Sequence, residues 1–182
     1  MPRFRAQPHL LAPLAAALLA APQLAAAAEP VCLTPREFTA LSTYALPSVI
    51  GGTARACTAQ LPENAFLRRN GDELASRYAQ GKGRAWPEAR AAFLKMSGSK
   101  DPAAAQMFTA MPDDALQQVA DAALTGIVAG QVKPGSCAAI DRVVALLSPL
   151  PAENTAELIA LAAGLGARTG EARLGRFALC KA

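Results

Sequence analysis

Histidine is almost missing from this 182-residue chain: the only one is His9, close to the N-terminus. From residue 10 onward Ser-His-Asp and Cys-His catalysis, histidine ligation of a metal and a histidine pH switch are all excluded. The four cysteines, Cys32, Cys57, Cys137 and Cys180, form no Cys-x-x-Cys pair, so neither a zinc site nor dithiol redox chemistry is expected of them. Aromatic residues are scarce at 5 %, with a single tryptophan, Trp86. Few segments alternate apolar and polar residues with a period of two, so sheet is not expected. No internal repeat is visible. Nothing points to a cofactor or a metal, and no residue is assigned a catalytic role.

The N-terminus carries an export pattern. Arg3 and Arg5 precede an apolar run from Leu10 to Ala21, broken only by Pro13, and small residues follow up to Ala28. Ala26 and Ala28 suit the −3 and −1 positions of a cleavage site, which reads as a secretory signal over residues 1–28. The apolar run is short of the ~20 residues that a spanning helix needs, so no membrane span is expected after cleavage. Cys32 lies too far from the cut for a lipoprotein anchor, and Arg3 and Arg5 are not an adjacent twin-arginine pair. The alanine-rich composition, with arginine favoured over lysine, fits a GC-rich bacterial genome. A periplasmic or secreted location follows, with residues 29–182 as a single helical domain.

Cleavage would lower the formal charge of +4 by two, and a near-neutral chain is a poor nucleic-acid binder. An even cysteine count in an exported chain favours two disulfides. Four cysteines allow three pairings. Cys32 with Cys57 and Cys137 with Cys180 is favoured, since each pair ties one end of the chain to a nearby segment, at roughly 3 to 4 kcal/mol per loop.

Punctuation and periodicity predict a succession of helices. Thr34, Pro35 and Glu37 make a capping box with proline in the first turn. Phe38, Leu41 and Ala45 continue that helix until Pro47 ends or kinks it. A second helix is expected from Pro47 toward Gln60, then a connection over Leu61 to Gly71. Short helices follow over Asp72 to Gln80, Trp86 to Met96 and Ala103 to Ala110, with Gly81-Lys82-Gly83 as a turn. Pro112 to Gly130 is the most regular element, its stripe made of Leu116, Val119, Ala120, Ala123, Leu124, Ile127 and Val128. Pro134-Gly135-Ser136 opens a helix whose apolar stripe is Cys137, Ile140, Val144 and Leu147, with Asp141 and Arg142 on the other side. Asn154 caps a last helix to Ala167, with Leu158, Ile159 and Leu165 inward. The expected fold is all-α, an irregular bundle of about six to eight helices stabilised by two disulfides.

Motifs for chemistry are thin. Ser97-Gly98-Ser99-Lys100 has the S-x-x-K spacing of penicillin-recognising enzymes, but no S-D-N or K-T-G element follows, and it reads as an interhelical turn. Gly81-Lys82-Gly83 lacks the remainder of a phosphate loop. Glu37, Glu63, Glu73, Glu88 and Glu157 could in principle serve single-glutamate glycoside cleavage, yet Glu37 belongs to a cap and the others read as solvated faces. The charge distribution says more. Arg68, Arg69, Arg77, Lys82, Arg84, Arg90, Lys95 and Lys100 face only Asp72, Glu73 and Glu88 in the same stretch. Residues 101–121 then carry Asp101, Asp113, Asp114 and Asp121 and no base. Arg68, Arg77, Tyr78, Lys82, Arg84 and Trp86 are therefore binding candidates for an anionic ligand or an envelope protein. The competing expectation is that the two stretches neutralise each other, with Trp86 in the core. The leading functional expectation is a non-enzymatic exported protein with a binding or accessory role. The alternative is a small histidine-independent enzyme using Arg, Lys and Glu on a cell-wall or carboxylate substrate.

Overall fold

The computed structural model describes residues 32–99, 101–169 and 178–180. Residues 1–31, which include His9 and the expected signal over 1–28, Lys100 and most of the tail after Thr169 lie outside the described residues. The elements are β1 (Cys32–Leu33), α1 (Pro35–Cys57), α2 (Phe66–Ala79), α3 (Lys82–Gly98), α4 (Pro102–Ala110), α5 (Asp113–Gln131), a 3₁₀ turn (Pro134–Ser136), α6 (Cys137–Leu147), α7 (Ala152–Thr169) and β2 (Ala178–Leu179). The fold is an all-α irregular bundle held by two disulfides.

The first turn of α1 follows its sequence. Thr34 Oγ1 accepts from Glu37 N at 3.1 Å, and Glu37 Oε2 accepts from Thr34 N at 2.8 Å, so both halves of the capping box are present. Pro47 does not end this helix as expected; α1 runs through it for 23 residues. A proline inside a helix costs about 3 kcal/mol. Here α1 is the central helix, packed against α2, α3, α5 and α7, and its middle is buried from Thr43 to Thr53 on several sides. That burial outweighs the local penalty.

The favoured cysteine pairing is corrected by the structure. Cys32 bonds Cys180 and Cys57 bonds Cys137, with Cα–Cα distances of 4.9 and 5.5 Å. The continuity of α1 is the reason. An unbroken helix of that length spans about 35 Å, so Cys32 before its start cannot reach Cys57 at its end. The observed bonds span separations of 148 and 80 residues. The chain-entropy model gives such loops about 4 to 5 kcal/mol each, more than the shorter loops expected.

A small piece of sheet also departs from expectation. β1 pairs in parallel with β2, Cys32 opposite Ala178 and Leu33 opposite Leu179, and Cys180 N donates to Leu33 O at 2.9 Å.

Helix α2 starts at Phe66, six residues before the expected Asp72, because its cap comes from elsewhere in the chain. Asp141 of α6 accepts from Leu67 N at 2.7 Å and from Phe66 N at 3.4 Å. The negative carboxylate sits where the helix dipole favours it. Helix α3 absorbs the expected Gly81–Gly83 turn, starting at Lys82. The last helix begins at Ala152, so Asn154 lies within it and is not its cap.

The core has two parts. The larger joins Leu46, Ile50, Cys57, Leu67, Leu74, Tyr78, Cys137 and Ala156, and the smaller joins Tyr44, Trp86, Ala89, Leu116 and Ala120. Alanine and glycine let the helices come close. An added Cβ on Gly52 would lie 3.2 Å from Thr125 O, and one on Gly71 would lie 3.2 Å from Ala54 Cβ. No helix among the described residues is long and apolar enough to cross a membrane.

Candidate functional site

The six binding candidates do not converge on one surface. Tyr78 is buried in the larger core part, its hydroxyl within hydrogen-bond distance of Leu147 O, Leu150 O and Thr155 Oγ1. Trp86 is buried in the smaller part, its ring 4.9 Å from that of Tyr44. Neither ring is presented for stacking on a ligand. Arg68 Nη1 donates to Leu61 O at 3.0 Å, and Arg77 donates to Ser148 O at the C-terminal end of α6, where the helix dipole favours a cation.

Lys82 and Arg84 are ion-paired. Lys82 Nζ lies 2.5 Å from Asp121 Oδ2, and Arg84 Nη2 lies 2.6 Å from Glu153 Oε1. Other members of the basic stretch are paired as well. Arg90 Nε lies 3.0 Å from Asp113 Oδ1, and Lys95 Nζ lies 3.0 Å from Glu37 Oε2. Lys82 and Arg90 thus meet acids of the 101–121 stretch, whereas Arg84 and Lys95 meet acids of α7 and α1. The partners leave their mark on the acids. Thr34 N–H, assisted by the Lys95 ammonium, holds the Glu37 carboxyl below its ordinary range, and the Arg84 guanidinium does the same for Glu153.

The most elaborate polar cluster joins α1, α3 and α5. Asp121 receives Lys82 and, at 3.2 Å, the Ser48 hydroxyl. The Lys82 ammonium also sits 4.3 Å from the centre of the Tyr44 ring. Burial, then the nearby charge of Asp121, raises the Tyr44 phenol well above its ordinary range, so it stays neutral and donates to Gln117 O. Lys82 is thereby committed to Asp121 and to the Tyr44 ring face. The cluster ties three helices together.

A shallow cavity of about 100 Å³ lies between α2 and α6, lined by Phe66, Asn70, Glu73, Leu74, Arg77 and Ser148. It holds one carboxylate and one guanidinium, and that guanidinium already binds the backbone of α6. Among the described residues no group of three or more His, Cys, Asp or Glu side chains could hold a metal.

The exposed apolar residues are a different matter. On α7, Leu158, Leu161 and Leu165 are 46, 59 and 63 % exposed, at i, i+3 and i+7 on one face. The opposite face buries Ala152, Thr155, Ala156 and Ala163. On α6, Val143 and Leu146 are exposed while Ile140 and Val144 pack inward. On α5, Val119, Ala123 and Ile127 face out at intervals of four, while Leu116 and Ala120 are buried. These positions correct the expectation that Leu158 and Leu165 face inward; only Ile159 of that trio packs against the core. The sequence signal was present. All three helices are apolar over more than the one stripe that a core requires, and such helices are either enclosed or covered by something else.

Comparison with protein-family models, with curated proteins and with solved structures finds no match for this chain.

Proposed function

We propose that this is a non-enzymatic protein exported across a bacterial inner membrane, which acts in the periplasm or outside the cell by docking its C-terminal helices onto another envelope protein. The observation that carries this is the row Leu158, Leu161 and Leu165 on the outer face of α7. Three leucines at helical spacing are the anchors of a helix-to-groove or helix-to-helix contact. Charge disfavours an anionic membrane surface as the occupant. Glu157 is exposed beside the row and Glu153 lies one turn earlier, whereas interfacial membrane helices carry Lys and Arg along their polar face. The pairing of Lys82, Arg84, Arg90 and Lys95 with carboxylates weakens the case for a nucleic acid or an anionic ligand on that side.

The export reading rests on the order of charge, apolar run and small residues in positions 1–28, together with the two disulfides. The histidine-independent enzyme has less support, since the cavity between α2 and α6 offers a single Arg and a single Glu.

A Leu161→Asp/Leu165→Asp variant tests the docking. Both side chains are exposed, so its melting temperature should stay within a few degrees of the parent, on the order of what surface changes cause. In native electrophoresis of gently solubilised envelope, the parent should migrate within a heavier hetero-complex and the variant alone. Equal migration of the two at the monomer position would contradict the proposal.

A further inference from the structure

The two disulfides sit in contrasting surroundings. Cys57 and Cys137 are 0 and 1 % exposed and lie inside the larger core, with Leu61 and Leu67 among its other members. Cys32 and Cys180 are both partly exposed, at the edge of the bundle. Beside the outer bond, the described backbone pairs over a short ladder. β1 and β2 are two residues each, and an isolated two-stranded ladder is marginal in water. A reductant must bring a thiolate onto a sulfur, so a disulfide enclosed in the core reacts only when that core opens.

We infer that Cys32–Cys180 is a reducible clasp that opens within the folded protein, while Cys57–Cys137 is a permanent tie. The reductant is a dithiol. Its first thiolate attacks one sulfur of the Cys32–Cys180 bond, the S–S bond breaks, and the other cysteine leaves as a thiolate that takes up a proton. The second thiolate of the reductant then attacks the mixed disulfide. It releases the remaining cysteine, and the reductant departs as its own disulfide, two electrons having passed to the protein.

Opening frees β2 from β1. Leu33, only 2 % exposed and paired in register with Leu179, then loses part of its cover. The C-terminal end of α7 loses a neighbour as well, since Leu179 Cδ1 approaches within 3.9 Å of where a Cβ on Gly164 would stand. Gly164 adjoins Leu165, the last residue of the exposed leucine row. Reduction therefore uncovers apolar surface next to that row. The clasp does not depend on the docking proposal, and its chemistry can be tested without a partner.

The oxidised protein is treated with dithiothreitol without denaturant, trapped at intervals with a maleimide, and mapped by peptide mass. Thiols at Cys32 and Cys180 should appear about tenfold or more faster than those at Cys57 and Cys137, with helical circular dichroism retained through the first phase. Hydrogen exchange should rise at β1, β2 and the end of α7 alone. Simultaneous reduction of both bonds, or earlier reduction of Cys57–Cys137, would overturn the inference. So would loss of helicity with the first bond. A Cys32→Ser/Cys180→Ser variant provides the second arm: it should stay helical with Cys57–Cys137 oxidised, and an unfolded variant would show that the outer bond is no clasp.

Discussion

Gly52 of α1 lies directly against Thr125 of α5: a Cβ added to the glycine would stand 3.2 Å from the threonine carbonyl oxygen and 3.3 Å from Val128 Cβ. Helix α5 carries part of the exposed apolar surface, and this close approach is one of the contacts that fix its position on α1. Gly52→Ala should therefore destabilise the fold by about 1 to 3 kcal/mol in urea unfolding, as overpacking against backbone does. Gly126→Ala meets nothing within 4 Å in the same helix. It should stabilise by roughly 0.5 to 1 kcal/mol through helix propensity. Equal effects at the two glycines would contradict the packing described.

The Lys82–Asp121 pair is a second joint. The lysine side chain is 17 % exposed and the aspartate 36 %, so solvent screens the pair in part. Lys82→Met should cost about 1 to 2 kcal/mol once that screening is allowed for, because Asp121 keeps its charge and loses its partner. Lys82→Met/Asp121→Leu should recover much of the loss, since removing both charges leaves neither unpaired. A double-mutant cycle by denaturant unfolding measures this, and simple additivity would count against a coupled pair.

Glu37 sets a pH dependence. Its carboxyl is held below the ordinary value of 4.5 by Thr34 N–H and then by Lys95. A carboxylate depressed in the folded state contributes stability that is fully present above its unfolded value and is lost as pH falls through its folded one. Thermal unfolding from pH 6 downward should show the parent losing stability through this acid range. Glu37→Gln should show a shallower slope there, and an unchanged slope would remove Glu37 from the account of acid sensitivity.

Local chemistry in the sequence is enough for the class of fold, for the capping box at Thr34 and Glu37, and for Cys137, Ile140 and Val144 of the α6 stripe, though not for Asp141, which faces α2. The rest depended on contacts distant in sequence. Pro47 reads as a stop because its penalty is local, whereas the burial that overrides it comes from four other helices. The start of α2 was hidden because its cap, Asp141, follows 74 residues after Leu67. The favoured cysteine pairing rests on closeness in sequence, which the unbroken α1 defeats by setting Cys32 and Cys57 at opposite ends of a long helix. Among the binding candidates, Tyr78 is legible as an aromatic but not as core, whereas the core position of Trp86 agrees with the competing expectation. The neutralisation expected between the two charged stretches is met by Lys82 and Arg90, whereas the Arg84–Glu153 pair depends on the approach of α7. The sequence misplaces Leu158 and Leu165 because apolar periodicity marks a helix face without saying which of two apolar faces meets the core.

Site-specific photo-crosslinking from position 161 in living cells tests the docking role most directly. A photoreactive amino acid replaces Leu161, with a second version carrying it at the exposed Arg69 on α2. The expected result is a crosslink from position 161 to one distinct envelope protein, identified by mass spectrometry, and none to that protein from position 69. A crosslink only to a second copy of the chain, or equal capture from both positions, would contradict a dedicated partner surface on α7.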